Sequence, residues 1–121
     1  MPNALAHTLT GAGAGLAAAS LGRGESDPDA SPAEVPLVAL TGACVGRLPD
    51  ILEPAIHPGH RAFFHSWTVA LAVGCGVHRA YHWEPSDDLE RALRWVALVG
   101  GAAYLIHLAL DAATPKSLPT V

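Results

Sequence analysis

Charge is scarce in this chain. Only 15% of its 121 residues are Asp, Glu, Lys or Arg, against 50% hydrophobic residues and a mean hydropathy of +0.29. Average globular domains carry about a quarter charged residues, so a richly solvated surface is excluded. Basic residues are scarcer still: seven Lys and Arg against eleven Asp and Glu give a formal charge of −4. That balance excludes general nucleic-acid electrostatics, and no direct nucleic-acid binding is expected. Cysteine is limited to Cys44 and Cys75, with no CxxC pair, which argues against a thiolate zinc site. Both sit in apolar stretches and are expected to be buried free thiols. A basic n-region is missing from the N-terminus and His7 interrupts its apolar run, so residues 1–20 are read as mature structure rather than a secretory signal. No internal repeat is visible, and the length suits one domain, residues 1–121.

What is present is a series of apolar stretches with polar residues at their ends. The hydropathy pattern predicts an all-α fold, an antiparallel four-helix bundle with helices over about 4–20, 36–48, 61–83 and 89–113. Much of the apolar content is Ala and Gly, which suits close helix packing, and Gly11 and Gly15 form a GxxxG. Residues 21–35 read as a loop. Pro36 suits the first turn of the second helix, which is expected to stop at Pro49-Asp50. Ser86 or Asp87 is the expected N-cap of the fourth helix, and Thr114-Pro115 ends it.

Membrane residence is the main open question of class. A span needs about 20 apolar residues. The third and fourth stretches reach that length only with His65, His78 and His107 inside or at the edge, and the second is too short. The reading is a membrane-embedded or membrane-associated protein, with a cytoplasmic soluble domain as the alternative. Trp67, Trp83 and Trp95 are candidates for membrane interfaces or for core filling.

Four polar islands carry the chemistry: His7, Pro49-Asp50, the run His60 to Ser66, and His107 to Asp111. If the helices run up, down, up and down, all four meet at one end. The acidic runs at 23–34 and 84–90 then fall at the other end. His107 and Asp111 are four apart, on one helix face, and can reach one metal ion or two adjacent ones; the bland alternative is that Asp111 caps or pairs near a helix end. His60 and His65 flank Arg61, whose guanidinium can hold an anionic oxygen. Ser66 is a candidate to support a ligand or donate to a phosphate. Asp50 is the better ligand of its loop; Glu53 is a ligand, a second acceptor, a proton acceptor or a solvated loop acid. His57 is unsupported, and the HxxxH pair His78 and His82 lies at the far end.

The order His7, Leu-Pro-Asp50, His60-Arg-x-x-x-His65-Ser66, then His107-x-x-x-Asp111-x-x-Thr114-Pro115-Lys116 resembles a bacterial family. That family is described as LexA-binding, inner membrane-associated metal-dependent hydrolases, distantly similar to zinc-dependent phospholipase C and the single-strand-specific zinc nucleases. The resemblance implies metal ligands at His7, Asp50, His60, His65, His107 and Asp111. It also implies a divalent metal, zinc in the first instance, in one to three copies. Many family members read Pro-Asp-x-Asp-His where this chain has Pro49-Asp50-Ile51-Leu52-Glu53, so an Asp and a His of that pattern are absent.

The function expected is hydrolysis of phosphoesters by a metal-activated water. Asp50, Glu53 and Arg61 are then the catalytic candidates, and Arg61, Ser66 and Lys116 the substrate-binding ones. The expected partners are membrane lipid and a small-molecule or lipid phosphoester; the family's reference to LexA adds a possible protein partner. The rival reading is a small membrane-associated interaction protein in which the His/Asp cluster is structural. A third is a soluble helical domain whose histidines do nothing special.

Overall fold

A computed structural model describes residues 4–22, 34–52 and 63–113. Among them every regular element is a helix: α1 (Ala4–Gly22), α2 (Glu34–Val45), α3 (Leu48–Leu52), α4 (Trp67–Tyr81) and α5 (Asp88–Ala112). The expected all-α bundle is therefore present, with one short helix more than the sequence suggested.

Named contacts give the helix directions. On α1 and α5, Gly15 lies against Val99 and His7 against Asp111, so the two run antiparallel. On α1 and α2, Gly11 meets Gly42 and Gly46 while Gly15 meets Val38, again antiparallel. On α4 and α5, Val77 packs on Gly101 while Tyr104 reaches back to Phe64. Up, down, up and down is thus the order of α1, α2, α4 and α5, and it puts His7, Asp50, His65, His107 and Asp111 at one end.

Glycine makes the tightest of these contacts. A Cβ on Gly11 would lie 2.5 Å from the Gly42 carbonyl oxygen, and one on Gly42 would strike the Gly11 carbonyl. Each mid-helix Gly costs about 1 kcal/mol relative to Ala, a cost offset here by backbones that approach as only Gly permits. Gly13, between Gly11 and Gly15 on α1, faces open space.

Large side chains mostly face outward. Among the described residues the buried apolar core is small: Ala19, Val38 and Val99 in one cluster, Tyr104 and Leu108 in another, with Ala80, Leu98 and Ala103 also buried. Leu5, Leu9, Leu37, Leu40, Leu71, Leu93 and Val96 are exposed along the helices. His7, His65, His107 and Asp111 are buried. Small and polar inside with apolar outside reverses the soluble pattern and suits a lipid environment. α5 is long and apolar enough to cross a bilayer. At 1.5 Å per residue its 25 residues reach about 38 Å, against about 30 Å of hydrocarbon. Trp67 and Trp83 are exposed at opposite ends of α4, whereas Trp95 packs against the core.

Several expectations need correction. The third helix is not 61–83 but Trp67–Tyr81, because the Ser66 hydroxyl accepts from Val69 N–H at 3.2 Å and caps it there. His65 therefore precedes the helix instead of sitting one turn inside it, and at 15 residues α4 is too short to cross a bilayer. The second helix ends at Val45, before Gly46 and Arg47, and does not continue to Leu48. Pro49-Asp50 does not close a helix; it lies in the first turn of α3, where proline's missing N–H has no partner to lose. Cys44 and Cys75 are exposed, not buried. Their apolar neighbours face outward with them. Asp87 is the N-cap of α5, accepting from Glu90 N–H at 2.7 Å, and Glu90 in turn accepts from Ser86 N–H at 2.8 Å.

Candidate metal centre

Three segments bring four side chains to one pocket. Asp50 comes from α3, His65 from the turn before α4, and His107 and Asp111 from successive turns of α5. One potential ligand atom from each lies within 4.8 Å of all the others. His65, His107 and Asp111 are fully buried, while the Asp50 side chain is 44% exposed.

The separations have the dimensions of a coordination shell. His65 Nε2 lies 3.3 Å from Asp50 Oδ1, 3.3 Å from His107 Nε2 and 3.5 Å from Asp111 Oδ2. His107 Nε2 lies 3.6 Å from Asp50 Oδ1 and 3.4 Å from Asp111 Oδ2. A tetrahedron whose corners are about 2.0–2.2 Å from its centre, the range for nitrogen and oxygen ligands of zinc, has edges of about 3.3–3.6 Å. All five of these separations fall in that range.

The orientation of His107 suits the same purpose. Its Nδ1 lies 2.6 Å from the Gly46 carbonyl oxygen. A carbonyl only accepts, so Nδ1–H donates, and in the neutral ring Nε2 turns its lone pair into the pocket. That lone pair, the His65 ring nitrogen and two carboxylates converge on one point, where a cation satisfies all four. A second bond fixes the other imidazole: the Tyr104 hydroxyl donates to the Phe64 carbonyl at 2.9 Å, holding the turn that carries His65. The hydrogen bond from His65 holds the Asp50 carboxyl below the usual carboxylate value, and burial opposes this.

His7 is close by but outside the four. Its Nε2 is 3.7 Å from the other Asp111 oxygen, Oδ1, and its ring stacks on His107 at a centroid distance of 3.9 Å. Its Nδ1 is buried with no hydrogen-bond partner among the described residues. Ser66 is buried as the α4 cap, a role the sequence reading did not give it. Glu53, His57, His60, Arg61, Thr114, Pro115 and Lys116 lie outside the described residues. His78 and His82 lie side by side with tilted rings, centroids 4.7 Å apart, at the far end as expected, and both are exposed. Sequence reasoning missed Gly46 and Tyr104. A backbone acceptor leaves no sequence signal, but Tyr104 falls three residues before His107, on its own helix.

A family model described as YdjM inner membrane protein matches residues 1–121. No curated protein and no solved structure gives a significant match.

Proposed function

The chain belongs to the YdjM inner membrane protein family, and on that premise, joined to the His/Asp cluster, we propose that it is a metal-dependent hydrolase of phosphoesters working at the bacterial inner membrane. The observation that carries the reading is the set of 3.3–3.6 Å spacings among Asp50, His65, His107 and Asp111. These four would hold the ion. Two imidazoles and two carboxylates suit zinc. Such a cation supplies a Lewis acid that polarises a phosphoryl oxygen and acidifies water.

The chain's own residues do the rest. Gly46 and Tyr104 hold the two imidazoles in place. Asp50, ionised and partly exposed, is positioned to accept the proton of an attacking water. His7, beside the outer oxygen of Asp111, and His60 are further ligand candidates for a second ion. Glu53 is assigned to proton transfer with Asp50, and Arg61 and Lys116 to the phosphoryl oxygens, while Ser66 is taken up as the buried cap of α4. Purified protein is expected to contain zinc and to hydrolyse generic phosphodiesters, both lost on chelation. A folded sample that neither holds nor recruits a divalent metal would sink the reading.

Four protein ligands also favour a second reading, since closed tetrahedral sites are those of structural zinc. There the ion only ties α3, α4 and α5 together, in a membrane-associated interaction protein. His107→Ala separates the two. Lost turnover with an unchanged melting curve supports catalysis; a collapsed fold, with no activity in the parent protein, supports structure.

A further inference from the structure

His78 and His82 take no part in the His/Asp cluster. They sit at the other end of α4, whose 15 residues put about 22 Å between them and the turn that carries His65. Being four apart, they project from one helix face, one turn above the other. Both are exposed. Among the described residues neither ring makes a side-chain hydrogen bond or ion pair; their ring contacts are with each other and, for His82, with Tyr81.

The two rings already stand as two ligands of one ion do. With about 2.0–2.1 Å from ion to nitrogen and about 1.1 Å from nitrogen to ring centre, two rings at an angle between square and tetrahedral have centres about 4.5–5.2 Å apart. The centroids of His78 and His82 are 4.7 Å apart. The His65 and His107 rings, in the cluster, make the same kind of pair: 5.3 Å apart and tilted by 55°, against 4.7 Å and 56° on α4.

The surroundings accept a cation. The pair spans the last turn and the cap of α4, the negative end of the helix dipole, and Glu84 is exposed two residues on. Arg79 adds an opposing charge, while Arg94 is engaged by the Ala80 and Tyr81 carbonyls at 2.8 and 2.9 Å. Cys75 lies one turn before His78 in the same shallow hollow. Its sulfur does not gather with the two rings within 4.8 Å, as the ligand atoms of the cluster do, so the donors are the two imidazoles.

We infer that His78 and His82 form a second metal site, an open bis-imidazole clamp for a late first-row divalent ion, with Cu2+ the tightest of the series. Two protein ligands leave the remaining positions to water or to a donor from outside. The ion is therefore exchangeable, and the site stands whether or not the His/Asp cluster is catalytic.

The test uses the untagged full chain in detergent and Cu2+ added as its iminodiacetate complex, which exposed imidazoles can reach and the buried His7, His65 and His107 cannot. Bound Cu2+ quenches a nearby indole, and Trp83 is the residue after His82. Saturable quenching is expected in the parent chain and should largely vanish in Trp83→Phe. His78→Ala and His82→Ala should each weaken binding by about a hundredfold, as loss of one of two tethered donors requires. Both side chains are exposed, and His82 closes α4 through its backbone N–H, so these variants keep the fold; His78→Gln and His82→Gln give a second pair. Cys75→Ala should bind as the parent does. Undiminished affinity in either alanine variant, quenching that persists in Trp83→Phe, or an equal loss from Cys75→Ala would overturn the inference.

Discussion

The Gly46 carbonyl sets the tautomer of His107 across 61 positions of sequence, through a 2.6 Å hydrogen bond. With Nδ1–H engaged, only Nε2 is left to ligate. Removing the ring removes a ligand and frees that carbonyl. His107→Ala is expected to weaken metal binding by about a hundredfold or more. His107→Gln, whose amide N–H can still donate to Gly46, should keep the fold while losing the metal. Metal titration beside thermal unfolding checks both.

Tyr104 holds the other imidazole at one remove, through Phe64. Tyr104→Phe keeps the packing and deletes only the hydroxyl. A stability loss of about 1 kcal/mol is expected, together with weaker metal binding as the turn carrying His65 loosens. Ser66→Ala also removes about 1 kcal/mol, through the lost helix cap, but leaves a metal-loaded protein. If Tyr104→Phe binds metal with undiminished affinity, the hydroxyl does not position His65.

The glycines divide by face. Gly11→Ala and Gly42→Ala each drive a methyl into the facing backbone, and a loss of about 1–3 kcal/mol is expected. Gly13→Ala meets nothing within 4 Å and should stabilise α1 by up to about 1 kcal/mol. Reversible unfolding in detergent measures both signs. A Gly13→Ala change as harmful as Gly11→Ala would mean that α1 packs by another face.

Metal affinity should fall in acid, with a limb set by imidazole and not by carboxylate. An imidazole ligand must be neutral to offer its lone pair, and the ordinary imidazole value is about 6.5. Asp50 is held below the usual carboxylate value by His65, so it stays ionised where imidazoles begin to protonate. In the cation-free protein the sign for Asp50 follows from that depression: its stabilising contribution is present above the unfolded carboxyl value and is lost as pH falls through the lower folded one. Metal affinity measured against pH should therefore begin to fall while Asp50 is still ionised. A first break only in the carboxylate range would assign the ligation to Asp50 and Asp111 without the histidines.

The pocket was legible in the sequence because its members are chemically conspicuous. His7, Asp50, His65, His107 and Asp111 interrupt apolar runs at the ends of helices, and alternating helix directions bring such ends together. Which side chains are buried was less legible. Hydropathy distinguishes apolar from polar, but in a membrane-associated bundle the apolar side faces out, so Cys44 and Cys75 lie at the surface. Helix α3 was hidden by a proline that usually signals a stop, yet Pro49 followed by Asp50 is also a sound helix start. Ser66 reads from the sequence as a ligand support or phosphate donor, and the backbone geometry instead makes its oxygen the cap of α4. Gly46 and Tyr104 act through a carbonyl acceptor and a single hydroxyl, at distances along the chain that no local pattern encodes.

Gly46 occupies two relationships at once. A Cβ on it would lie 3.0 Å from the Gly11 Cα of α1, and its carbonyl receives the His107 proton. Any side chain there pushes the first helix away and drags the imidazole's anchor with it. The geometry of the His/Asp cluster is thus tied to the spacing of two helices that supply none of its four members, and squeezing or parting them from outside would become a handle on any cation held there.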